Sequence, residues 1–215
     1  MKIICLALIL SPFFVFSQTG LKEFSVSGKL TGIADGTEIK LIRNGENIEF
    51  AKTKIQKGSF LLKGNVKEPV LCFLFIGDSK PVELYLENSR INVSKTKNQP
   101  EKYVINGSSV HKDFQTFLDR FLPLFQQSSS LANNVNSMVP GPDRDGQLNL
   151  YTITQQNIQK EIDKYVADKP HSMVSTFVLN VTSQFYDDPV LMEKRFNQLD
   201  ASIRNSENLY ALKSR

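Results

Sequence analysis

Apolar and polar residues alternate along the first half of this chain and recur at helical intervals along the second. Phe24-Ser25-Val26-Ser27-Gly28-Lys29-Leu30 alternates strictly, the pattern of a strand with one buried face. Further strands are predicted over Glu38–Arg43, Asn47–Ile55, Ser59–Lys63, Val70–Ile76, Val82–Leu86, Arg90–Val93 and Lys102–Ile105. Asp35-Gly36, Asn44-Gly45 and Lys57-Gly58 turn between them, with glycine supplying the positive φ that tight turns need. Val70–Ile76 is apolar almost throughout, as a strand buried on both faces would be. About eight short strands at regular spacing predict an antiparallel β-sandwich or barrel-like domain.

After Asn106-Gly107-Ser108-Ser109 the period lengthens. Val110, Phe114, Phe117, Leu118, Phe121 and Leu122 mark an amphipathic helix. Ser108 or Ser109 is its expected N-cap, and Pro123 is expected to end or kink it. Gln126–Gln147 is polar, contains Pro140-Gly141-Pro142, and reads as a mobile connection with some helix. Thr154, Ile158, Ile162, Tyr165 and Val166 line a second helix that Lys169-Pro170-His171-Ser172 breaks. Val174, Phe177, Val178, Val181 and Phe185 make a third stripe. Asp187-Asp188-Pro189 caps a fourth, which holds Met192, Phe196, Leu199 and Ile203. The stripes are core positions. Leu209–Arg215 reads as a helix still in progress, either fraying or stopping where a longer relative would continue. The whole is an α+β chain: a signal over 1–17, a β domain over 18–108 and an all-helical segment over 109–215.

The ends and the charge place it. Met1-Lys2, the apolar run from Ile3 to Phe16 and the small Ser17 have the form of a secretion signal, with cleavage expected to leave Gln18 first. The run is too short to span a bilayer, and no second one follows. The expected location is the periplasm or cell envelope. Cys5 falls inside the signal and ahead of most of its apolar run, unlike a lipoprotein cysteine. That leaves Cys72 without an internal disulfide partner, so the core must hold the fold. Its apolar neighbours predict an inert, buried thiol. The formal net charge of +4 is scattered among acids rather than gathered into a basic stripe, which argues against nucleic acid.

No catalytic centre or metal site is spelled out. His111 and His171 sit in no ligand-spaced pattern and read as surface or helix-start residues. Ser94-Lys95-Thr96-Lys97 matches Ser-x-x-Lys by chance, in what reads as a polar loop without partner motifs. Asp143-Arg144-Asp145-Gly146 fails the calcium-loop spacing, since its glycine comes fourth and Thr154 stands at position twelve. The sequons at Asn92, Asn106 and Asn180 matter only in a eukaryotic secretory pathway. No catalytic, cofactor-binding or metal residue is assigned, and no cofactor is expected.

Several spacings are familiar together. They are Phe24-x-Val26-x-Gly28-x-Leu30, Asp35-Gly36-Thr37-x-Ile39-x-Leu41, Lys57-Gly58-Ser59-Phe60-x-Leu62-x-Gly64, Pro69, Leu84-x-Leu86-Glu87-Asn88 and Ile105-x-Gly107-Ser108. The chain resembles a β-rich module of unknown function that stands ahead of TlpA-like thioredoxin domains (AhpC/TSA family) in exported envelope proteins of Gram-negative bacteria. Lys169–Ser175 is similar to the turn in the helical segment that usually joins the two. In such proteins a Trp-Cys-x-x-Cys motif of the later domain does the redox work. This sequence has no Trp and no Cys pair, and it stops about where that domain would begin. The resemblance therefore implies a non-catalytic accessory role, with a protein partner or thioredoxin-like domain to position, or a homodimer to form. Two other readings stand beside it: a free-standing β-sandwich that binds a glycan or peptide, and a hydrolase or other enzyme whose site has no motif.

Overall fold

The computed structural model describes residues 22–46, 48–96, 99–185 and 188–206. The expected signal over 1–17, Cys5, Asp187, Lys97 and the expected helix over Leu209–Arg215 lie outside these residues.

Eight strands form two four-stranded sheets. They are β1 (Phe24–Lys29), β2 (Glu38–Arg43), β3 (Glu49–Lys54), β4 (Ser59–Gly64), β5 (Val70–Ile76), β6 (Val82–Leu86), β7 (Arg90–Thr96) and β8 (Gln99–Asn106). One sheet runs β4-β1-β7-β8 and the other β3-β2-β5-β6. Neighbouring strands are antiparallel except β1 and β7, which run parallel with Ser25 opposite Arg90. The sandwich core comes from one face of each sheet, with Val26, Ile39, Leu41, Leu62, Cys72, Leu74, Leu84 and Val93 all essentially sealed from solvent. Alternation decides which residues these are. The apolar run of β5 alternates too: Cys72, Leu74 and Ile76 face the core, while Leu71, Phe73 and Phe75 lie half-buried on the outer face.

Ser94–Thr96, expected in a loop, belong to β7. Its pairing with β8 continues as far as Thr96 opposite Gln99, so the polar run is the end of the ladder, with Ser94 and Lys95 half-buried.

Five helices follow: α1 (Ser109–Ser137), α2 (Pro142–Asp168), α3 (Met173–Val181), α4 (Pro189–Asn197) and α5 (Ala201–Arg204), with a 3-10 turn at Ser183–Phe185. Ser108 caps α1, its hydroxyl accepting the His111 amide at 2.9 Å. Ser172 and Asp188 cap α3 and α4 in the same way.

The polar stretch expected to be a mobile connection is instead regular helix. α1 continues through Pro123 to Ser137, and α2 starts at once after Pro140-Gly141. Pro123 is exposed, so its ring and missing N–H are met on the solvent side of the helix. Beyond it the two helices meet along a narrow, partly polar seam. Gln155 Nε2 donates to Ser128 Oγ at 2.8 Å, Asn134 Nδ2 to Gln147 Oε1 at 3.1 Å, and Arg144 Nε to the Val135 carbonyl at 3.1 Å. Leu131 and Val135 are the apolar members of that seam. The fourth stripe also differs from expectation: Met192 and Phe196 lie on α4, Leu199 in the break after it, and Ile203 on α5.

The helices pack on the β6 end of the second sheet. Tyr85, on the outer face of β6, enters a cluster with Phe114, Phe117, Phe121, Tyr165 and Phe177. Arg195 of α4 is sealed beneath, its guanidinium donating to Asp163 Oδ1 at 2.7 Å and to both Gln159 Oε1 and the Gln159 carbonyl. No described helix is long and apolar enough to cross a membrane.

Candidate functional site

The motif residues that carried the family resemblance are spent on architecture. Asp35 accepts the backbone amides of Lys57 and Gly58, both at 3.0 Å, and so docks one turn on another. Lys57 and Gly58 both hold positive φ there. Glu87 Oε1 accepts three donors at the start of α1: Ser108 Oγ at 2.7 Å, Ser109 Oγ at 3.2 Å and the Val110 amide at 3.1 Å. A carboxylate there also meets the positive end of the helix. Asn88 pairs with both backbone groups of Val66, at 3.0 and 2.8 Å. Gly107, at φ +90°, lies so close to β7 that a Cβ would fall 2.0 Å from the Arg90 carbonyl oxygen. These groups have partners already, and their chemistry is used where it stands.

Cys72 is completely buried, and burial pushes its thiol up to about 12, against a weaker opposing pull from Arg43. Almost none is thiolate near neutral pH, which makes it the inert cysteine the sequence predicts.

The histidines separate. His171 is exposed and its Nδ1 contacts Asp200. His111, expected at a surface or helix start, is at the start of α1 but is buried, at 2 % exposure. Its Nδ1 accepts the Tyr85 amide at 3.2 Å, which leaves the neutral ring's proton on Nε2, beside the Gln115 side chain, whose amide oxygen is the group able to accept it. β6 is the edge of its sheet, so Tyr85 N–H would otherwise lack a partner. Burial lowers the His111 pKa from 6.5 to about 4. Nothing in the local sequence marks this role, because the edge it seals is formed 26 residues earlier.

Asp143 and Asp145 stand in the first turn of α2, as carboxylates favouring the helix N-terminus rather than a calcium loop. Among the described residues no cluster of three or more His, Cys, Asp or Glu side chains is placed to hold a metal. Asn92, Asn106 and Asn180 are all exposed.

Among the described residues, two neighbouring features combine apolar and polar groups that could touch a ligand. A cleft of about 250 Å³ opens between the second sheet and α3, with Leu71, Tyr85 and Phe177 among its apolar lining and Arg43, Glu46 and Asn180 among its polar lining. Arg43 is held by Glu46 at 3.3 Å. Beside it on the outer sheet face, Phe73 and Phe75 lie edge to face, their centroids 6.3 Å apart, opposite Ile42 and Lys40 of β2.

The fold and these sites define a two-part α+β protein: a mixed β-sandwich whose edge is capped by a helical unit. Residues 24–114 match the model of a family described as a domain of unknown function (DUF4369). Comparison with curated proteins gives no match, and comparison with solved structures gives none either.

Proposed function

We propose that the protein is a non-catalytic accessory module of an exported thiol–disulfide oxidoreductase system, positioning a partner or substrate for a thioredoxin-like domain. The observation that carries the reading is the commitment of the motif side chains. Asp35, Glu87 and Asn88 all serve the backbone, and the described thiol, Cys72, is sealed in the sandwich. A module built this way works through its surface.

The test is an insulin-reduction assay with a purified TlpA-like thioredoxin domain, run with and without the chain from Gln18 onward. The chain alone is expected to leave insulin oxidised and to change the rate or substrate preference of the domain. Turnover by the chain alone would sink the proposal, as would a domain indifferent to it.

A second reading, a free-standing glycan- or peptide-binding sandwich, is favoured by Phe73 and Phe75 on the outer sheet face next to the Arg43 cleft. Aromatic faces flanked by polar groups suit flat, amphipathic ligands. Thermal-shift screening of oligosaccharides and peptides against the Phe73→Ala/Phe75→Ala variant separates the two readings. Ligand-induced stabilisation lost in the variant would favour the second.

A further inference from the structure

Charged residues make up 22% of the chain, yet between Phe121 and Gln159 the only ones are Asp143, Arg144 and Asp145 at the tip of the α1–α2 hairpin. The stretch is instead rich in Ser, Asn, Gln and Thr, and it carries much of the exposed apolar surface of the helical unit. Leu150 is 47% exposed, Ile153 43%, Leu148 42%, Met138 40% and Val139 83%. Leu150 and Ile153 stand three apart and share one flank of α2, with Asn157 four residues further on the same flank.

The rest of the described helical unit stops short of this region. Among the described residues, the ring, hydrogen-bond and ion-pair contacts that α3, the 3-10 turn and α4 make with the hairpin reach Phe125 on α1 and Gln159 on α2. Charge resumes at the same level, where Arg120 meets Glu161 at 3.3 Å. Past that point, among the described residues, a two-helix hairpin projects with nothing over its flanks.

We propose that the distal half of this hairpin is a homodimer surface, where two copies pair their α1–α2 hairpins into a four-helix bundle. Three arguments select a second copy as the occupant. First, a two-fold contact sets each face against itself, so any net charge on it would be self-repelling, and this face has none. Second, two-fold pairing in the antiparallel sense sends the two tips to opposite ends, so Asp143 and Asp145 of one copy do not meet those of the other. Third, the area suffices. About 17 residues of each helix span roughly 26 Å, and two helices abreast are about 20 Å wide, giving about 500 Å² per copy and about 1,000 Å² for the pair. A lipid surface would instead call for basic residues along the flank. This proposal does not depend on the accessory reading.

Sedimentation velocity on the chain from Gln18 onward tests it, with far-UV circular dichroism as the control for folding. The wild type is expected to sediment as a dimer at micromolar concentration. Leu150→Glu/Ile153→Glu, which places charge on both sides of the symmetric contact, is expected to be monomeric with an unchanged helical spectrum. Asn157→Glu replaces one exposed polar side chain by another and so leaves folding alone. It is expected to weaken the dimer about tenfold or more, because in the antiparallel pairing the new carboxylate would lie against the acidic tip, Asp143 and Asp145, of the other copy. A wild type that is monomeric throughout overturns the proposal, and so do charged variants that remain dimeric.

Discussion

At the residue scale, His111 gives the protein a defined response to acid. Its pKa is about 4 in the fold and 6.5 when free, so between these values the unfolded chain binds the extra proton. The stability tied to the neutral ring is complete above pH 6.5, falls as pH drops towards 4, and is gone below it. A shift of this size corresponds to about 3 kcal/mol. Urea unfolding at a series of pH values should show this decline. His111→Gln keeps a side-chain acceptor without a titrating ring, so it should start less stable at pH 7 and lose less between 6.5 and 4. A variant with the same pH slope as wild type would place the titration elsewhere. The site residues were only half legible in the sequence. Cys72 declared its burial through its neighbours, because a strand's environment follows from its own alternation. His111 could not, since its acceptor role depends on which strand becomes a sheet edge.

At the element scale, the strands were legible and the distal hairpin was not. Six of the eight predicted strands fall within a residue or two of the observed bounds, because each buries one face and repeats every second residue. The α1–α2 seam past Phe125 is two helices thick and closed partly by Ser128, Thr154 and Gln155, so it leaves little apolar period to read. Pro123 compounded this by resembling a stop. Its place inside α1 makes a prediction: Pro123→Ala should raise the thermal midpoint by restoring the amide that can reach the Asp119 carbonyl. Proline in a helix interior costs about 3 kcal/mol relative to alanine, and an exposed site should recover a good part of that. An unchanged or lowered midpoint in a thermal melt would mean that α1 depends on the local geometry Pro123 imposes.

At the scale of the whole molecule, the sandwich and the helices are less separable than the change of period implies. The matched family region runs to residue 114, past the last strand and into α1. The structure supplies a reason: Glu87 holds the start of α1, His111 seals β6, and Phe114 covers Tyr85. A fragment ending at residue 106 should therefore be markedly less stable than one ending at 121, which retains these contacts. Equal unfolding midpoints in urea for the two fragments would contradict the shared interface.

The parallel pairing of β1 with β7 has a consequence in time. The second sheet grows largely from neighbours, β2 with β3 and β5 with β6, whose contacts close short loops. The first cannot be completed until Arg90–Thr96 comes alongside β1, a long-range closure of the kind that slows folding. Until then β1 has β4 on one side and an open row of amides and carbonyls on the other, a template for pairing with foreign strands. Slow docking of β7 would therefore leave the first strand of the sandwich with an open edge, and raise the chain's exposure to aggregation while it lasts.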